Sequence, residues 1–152
     1  MRIVRVVALA ACALALLAAA KVDPNVAIPA RQMGMKQIGR TFKGINDQLH
    51  GGAPDAAAVA AGAHQLADLA RKVPSLFPAG SGPETGVKTA AKADIWAQPA
   101  DFRAKAKALA TATAALDKMA RKSADPALLQ PFVARVGGAC KACHTTYKVP
   151  EH

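Results

Sequence analysis

The sequence predicts an all-α chain folded as an antiparallel four-helix bundle, and three observations carry that prediction. Apolar letters recur at three- and four-residue spacing in four separate stretches, the mark of amphipathic helices. Two short connections and one longer loop separate them, which suits helices that run antiparallel to their neighbours. Strand signals are absent.

The chain has 152 residues, enough for one domain that buries a real core. It opens on MRIVRVVALAACALALLAAA, with Arg2 and Arg5, an apolar run and a small-residue end. That pattern predicts a secretory signal over residues 1–20, cut after Ala20, and a mature domain over 21–152. A membrane anchor is the other reading, but the run from Ile3 to Ala20 barely reaches the roughly 20 residues a spanning helix needs. Leu9-Ala10-Ala11-Cys12 looks like a lipid-attachment box, yet the residues after Cys12 stay apolar and the lead is very short. Cleavage removes Arg2, Arg5 and Cys12, leaving 18 Lys and Arg against 10 Asp and Glu, a formal charge of +8, and two cysteines. Export and the absence of aromatics among the cations exclude a nucleic-acid ligand; a positive surface suits an acidic protein partner or a solvated face.

The first helix carries Met35, Ile38, Phe42, Ile45 and Leu49 on one stripe and ends at His50-Gly51-Gly52. The second starts after Pro54-Asp55 and repeats the spacing through Val59, Gly62, Leu66, Leu69 and Val73, where Pro74 stops it. Residues 74–89, PSLFPAGSGPETGVKT, hold too many prolines and glycines for an element interior and form the long loop. The third helix follows Pro99, with Phe102, Ala106, Leu109, Thr113, Leu116 and Ala120 on one side. The fourth opens near Asp125-Pro126 and carries Leu129, Val133, Val136, Cys140, Cys143 and Tyr147 in register, so both cysteines face the core. The stripes are rich in Ala, and the whole chain has only four Phe, one Trp and one Tyr. Something besides side chains is expected to fill the core.

The cysteine spacing says what. An exported protein meets oxidising conditions, but Cys140 and Cys143 would close almost no loop, so a stabilising disulfide explains them poorly. Cys-x-x-Cys-His is the attachment signature of c-type haem: both thiols add to the porphyrin vinyl groups and the adjacent His144 binds the iron. One helical turn sets the two sulfurs at the required separation. A zinc site would need further ligands that the sequence does not supply. A thioredoxin-like pair would need a βαβ setting.

An exported all-helical chain with this motif in its last helix resembles the class II cytochromes c, which include cytochrome c′ and the low-spin cytochrome c-556 type. The resemblance spans nearly the whole mature chain, through ARQMGMKQIG at 30–39, KTAAKADIW at 88–96, PADF at 99–102 and CKACHTTYK at 140–148. It implies a four-helix bundle enclosing one covalently attached haem c. It also implies that the sixth iron position faces the residue four places after an Arg on the first helix, here Met35 after Arg31. Helical periodicity agrees: Met35 begins the stripe, and Met33 lies about 200° away and points outward. Met119 lies one residue before the stripe position Ala120. The plain alternative for Met35 is core filling.

Arg31 falls on the same stripe one turn before Met35, where a charge needs a partner. The resemblance implies a haem propionate; otherwise Arg31 is an exposed first-turn residue. Trp96 and Phe102 are expected near the haem edge or simply in the core, and Tyr147 and Lys148 follow His144 in the family pattern. His50, His64 and His152 read as surface residues.

These expectations describe a periplasmic one-electron carrier with His144 and Met35 as axial ligands to a single haem iron, working with redox partner proteins. No substrate pocket or acid/base constellation points to an enzyme. The other reading is a five-coordinate cytochrome c′ that binds nitric oxide or carbon monoxide, with Met35 as distal packing. The sequence leaves monomer and antiparallel homodimer both open.

Overall fold

Three helices start on the same chemistry. Asp23, Asp55 and Asp125 each take an extended backbone, and each carboxylate accepts from the amide two residues on, at 2.9, 2.8 and 2.9 Å. Such a side chain satisfies one of the amides that the first turn leaves without a partner. Pro24 and Pro126 follow two of them at the first helical position, where a missing N–H costs nothing. In the computed structural model, which describes residues 22–150, these starts give α1 (Pro24–His50), α2 (Ala56–Arg71) and α5 (Pro126–Tyr147). The single-turn α3 (Asp94–Ala97) leads into α4 (Pro99–Ala120). The predicted signal segment 1–20, with Cys12 and the Ala20 cleavage point, and His152 lie outside the described residues.

The four long helices form the bundle, up and down in chain order. α2 packs against α1 and α4, and α5 packs against α4, each along its length. Alanine makes this close: Ala63, Ala67 and Ala70 of α2 and Ala106 and Ala120 of α4 are all buried at these seams. Around them Ile45, Leu66, Leu116, Leu129, Val59 and Val136 are fully enclosed. Thr113 is buried with them, its hydroxyl donating to the carbonyls of Leu109 and Ala110 at 3.0 Å each. The α1–α5 seam is different, with the two helices meeting at only a few points.

The structure departs from the sequence reading at the short α3 and in three further places. α1 begins at Pro24, well before the stripe counted from Met35, because Asp23-Pro24 is a start signal of the same kind as Asp125-Pro126. α2 ends at Arg71, and the chain continues through Pro74 as a 3-10 turn over Val73–Leu76, where proline fits near the start. The long loop holds a second 3-10 turn, Pro83–Thr85, ended by Gly86 at φ 75°, a left-handed conformation that glycine adopts without strain. Among the described residues no strand forms; one isolated antiparallel bridge joins Ala91 to Lys148.

Candidate haem-attachment site

α5 brings the attachment motif to the bundle's inner surface. Leu129, Val133, Val136 and Tyr147 are buried, and Cys140 and Cys143 continue their line, half-buried and packed against the core. Both thiols are unbridged. Burial pushes each thiol's pKa up. His144 is the next residue, on the exposed side of the same turn, and its carbonyl accepts the capping bond from Lys148 at 3.0 Å. Just before the motif the helix is thin: a Cβ added at Gly138 would meet nothing within 4 Å, and one at Gly137 only Phe42 of α1, at 3.9 Å.

α1 supplies the facing side. Met35 is half-buried and packs on the same cluster that receives Cys140 and Cys143, whereas Met33 is 67% exposed, as the periodicity requires. Met119 also packs against this cluster, from α4.

Arg31 lies one turn before Met35 and is buried, so it is not an exposed first-turn residue. Its guanidinium donates to Ser81 Oγ at 2.9 Å, to the Ser81 carbonyl at 3.0 Å and to Thr89 Oγ1 at 2.9 Å. It also stands over the rings of Phe77 and Trp96, 5.0 and 5.7 Å from their centroids. Burial lowers its pKa, while the Glu84 charge opposes that shift. The resemblance implies a haem propionate for Arg31; within the chain its guanidinium meets neutral acceptors, aromatic faces and the Glu84 charge, and these contacts hold the long loop to α1.

An aromatic chain runs from there to the attachment turn. Phe77 meets Trp96 at 6.3 Å and Phe102 at 4.9 Å, and Phe102 meets Tyr147 edge-on at 5.5 Å and 85°. The Trp96 indole donates to the Pro78 carbonyl at 3.0 Å. The Tyr147 hydroxyl donates to Asp101 Oδ2 at 2.6 Å. Burial, then the Asp101 carboxylate, push the Tyr147 pKa up to about 12, and the same bond holds Asp101 below the usual carboxylate range. Sequence reading missed Phe77, Ser81, Thr89 and Asp101. Only Asp101 left a signal, its i,i+4 spacing to Lys105, which lies 3.5 Å from it.

His50 and His64 are surface residues, as expected. His50 Nδ1 lies 2.8 Å from the Asn46 carbonyl, and His64 sits between Asp117 and Arg121. Among the described residues no three His, Cys, Asp or Glu side chains converge to hold a metal ion, so a zinc site lacks its ligand set. The donor set fits haem c instead. Two unbridged thiols one turn apart and an adjacent imidazole stand on a helix that meets α1 at only a few points, and Met35 is on that neighbour.

Residues 26–148 match the family model described as Cytochrome C'. The cytochrome c′ of Rubrivivax gelatinosus is 37% identical over 125 residues, 82% of this chain and 95% of that protein. The cytochrome c-556 of Agrobacterium fabrum is 36% identical over 139 residues, 91% of this chain and 87% of its own. Among solved structures, cytochrome c′ from Thermochromatium tepidum superposes with a TM-score of 0.77 at 30% identity, covering 86% of this chain and 100% of that one. A cytochrome c′ from Alcaligenes xylosoxidans gives 0.75 at 27%, covering 86% and 98%. From the four-helix bundle, the Cys140-x-x-Cys143-His144 turn and these relatives together, the chain belongs to the cytochrome c′ family, the class II cytochromes c, with one haem c attached covalently through Cys140 and Cys143.

Proposed function

We propose that this protein is an exported, periplasmic one-electron carrier in which His144 and Met35 are the axial ligands of a low-spin haem iron. The observation that carries this reading is the placement of Met35: half-buried on α1 and packed on the cluster that receives both cysteines, while Met33 two residues away faces solvent. When bound, the haem supplies a one-electron couple, and His/Met ligation raises its potential. The chain's own part is to fix the group on α5 through two thioether links, to present a thioether from α1 and to exclude water with the Trp96–Phe77–Phe102–Tyr147 wall. Such a role needs no substrate pocket and no acid/base pair. Among the described residues no helix is long and apolar enough to cross a membrane.

The names of the relatives favour a second reading. Most are cytochromes c′, and structures of the Alcaligenes xylosoxidans protein hold nitric oxide. On that reading Met35 is distal packing and the sixth position is open to nitric oxide or carbon monoxide. Another solved cytochrome c′ is described by its ligand-controlled dimer dissociation, which makes a homodimer a second state to test for here.

Optical spectra of the haem-loaded protein, oxidised and reduced, with and without carbon monoxide, decide between the two. Sharp reduced bands, a weak sulfur-to-iron band in the oxidised form and indifference to the gas support Met35 ligation. A broad high-spin spectrum that shifts with carbon monoxide assigns the open-iron function.

A further inference from the structure

We propose that residues 88–92, with Lys141 of α5 and Lys148 just past its end, form a docking surface for the acidic face of a redox protein, an inference that rests on the electron-carrier reading.

Residues 88–92 cross from α1 to the end of α5. On one side the Lys88 carbonyl accepts from Gln32 Nε2 at 3.1 Å. On the other, the Lys92 amide donates to the Tyr147 carbonyl at 3.0 Å, and the Val149 amide donates to the Ala90 carbonyl at 2.8 Å. The segment therefore bridges the two helices that carry Met35 and the attachment motif, and it sets Lys88 and Lys92 at the end of their seam. Lys141 stands between the two cysteines in sequence, and Lys148 is one turn past His144. Lys88 and Lys141 are exposed; Lys92 and Lys148 are half-buried.

Counter-charge is sparse on this face. No carboxylate occurs between Gly86 and Ala93, and none between Pro126 and Pro150. Asp101, the carboxylate beside Tyr147, is already held by that hydroxyl and by Lys105. Asp94 offsets one charge, which leaves the face positive. Lys43, Arg71 and Arg121, elsewhere on the bundle, are each paired locally, with Asp47, Asp68 and Asp117. Among the described residues no ion pair engages Lys88, Lys92 or Lys141. Lys88, Lys92 and Lys141, beside the attachment turn, steer an acidic surface toward the end of the bundle that carries the attachment motif. An acidic protein fits better than an anionic membrane. Interfacial binding needs a broad apolar face beside the cations, and among the described residues the exposed large apolar side chains are just Val26, Met33, Leu128 and Val149, with Leu128 at the opposite end of α5, too few for such a face.

The test uses the mature haem-loaded protein, reduced, mixed by stopped flow with hexacyanoferrate(III), an anion, or with tris(phenanthroline)cobalt(III), a cation. One electron leaves the protein and reduces one reagent ion. Two variants carry the same change in net charge: Lys88→Glu/Lys141→Glu on the surface and Lys118→Glu/Lys122→Glu at the far end of α4. At low salt the first is expected to slow the anion's reduction about tenfold and to speed the cation's, with the second changing each by less than about twofold. In about 0.5 M salt the difference should vanish. Equal effects from both variants would mean that only net charge matters, and no effect from either would mean no steering; each overturns the proposal. So would co-sedimentation with phosphatidylglycerol vesicles by the wild type and not by Lys88→Glu/Lys141→Glu, which assigns the patch to a membrane. Failure of the electron-carrier reading shows separately, as a high-spin, gas-sensitive spectrum in the wild type.

Discussion

Arg31 and Ser81, fifty residues apart, are joined by two hydrogen bonds, one from each terminal nitrogen of the guanidinium, to the serine hydroxyl at 2.9 Å and to its carbonyl at 3.0 Å. Thr89 accepts a third at 2.9 Å, so one side chain of α1 fastens both halves of the long loop. A planar fork makes this possible, and a lysine ammonium on a flexible stem does not reproduce it.

Arg31→Lys is therefore expected to destabilise the fold by about 2 kcal/mol, since two or three charge-assisted bonds lose their geometry in a buried setting. Urea unfolding followed by circular dichroism measures this as a lower midpoint at unchanged slope. An unchanged midpoint together with a shifted reduction potential would instead tie Arg31 to a haem propionate.

Met35→Leu is expected to convert a low-spin haem spectrum to a high-spin one that responds to carbon monoxide. Leu and Met have similar volumes, so the fold should lose less than about 1.5 kcal/mol. Met33→Leu, on the exposed face of the same helix, is the matched control and should leave the spectrum as it was. A wild-type spectrum in Met35→Leu would remove the thioether from the iron.

Tyr147 and Asp101 predict how stability changes at the two ends of the pH scale. The Tyr147 pKa is raised to about 12, so its contribution is complete below the ordinary tyrosine value near about 10 and disappears as pH rises through the folded value. Asp101 is shifted the other way, so its contribution is present above the ordinary carboxylate value and disappears as pH falls below it. Tyr147→Phe should remove the extra loss of stability between about pH 10 and 12, and it should shrink the acid loss because Asp101 no longer gains the bond. Melting temperatures of wild type and variant across pH measure both. Parallel curves would show that the pair contributes nothing to folding.

What could be read from the letters follows from the range of each signal. The α5 stripe and the attachment turn are local patterns, complete within 22 residues, and Asp125-Pro126 marks their start. Met35 was legible because it begins a periodic run. The start of α1 was not, since Pro29 interrupts its first turns and the stripe is unmistakable only from Met35 onward. Phe77, Ser81 and Thr89 lie in a loop with no period, and each contacts Arg31 from far along the chain, Ser81 and Thr89 across 50 and 58 residues. The short α3 is a single turn of four residues, too brief for periodicity to register.

Two glycines test how the packing of α1 and α2 is set. Helix propensity alone favours alanine over an interior glycine by about 1 kcal/mol. At Gly39 an added Cβ would meet nothing within 4 Å, so Gly39→Ala should gain nearly all of that. At Gly62 the added carbon would stand 3.1 Å from Ile45 Cγ1, and Ile45 is itself enclosed at 2% exposure, with little room to withdraw. Overpacking of a close-packed seam typically costs about 1–3 kcal/mol, so Gly62→Ala should be a net loss. Chemical unfolding of the two variants should move the midpoint in opposite directions. A gain in both would mean that the α1–α2 seam yields by a few tenths of an ångström and that Gly62 is not what holds the helices at this separation.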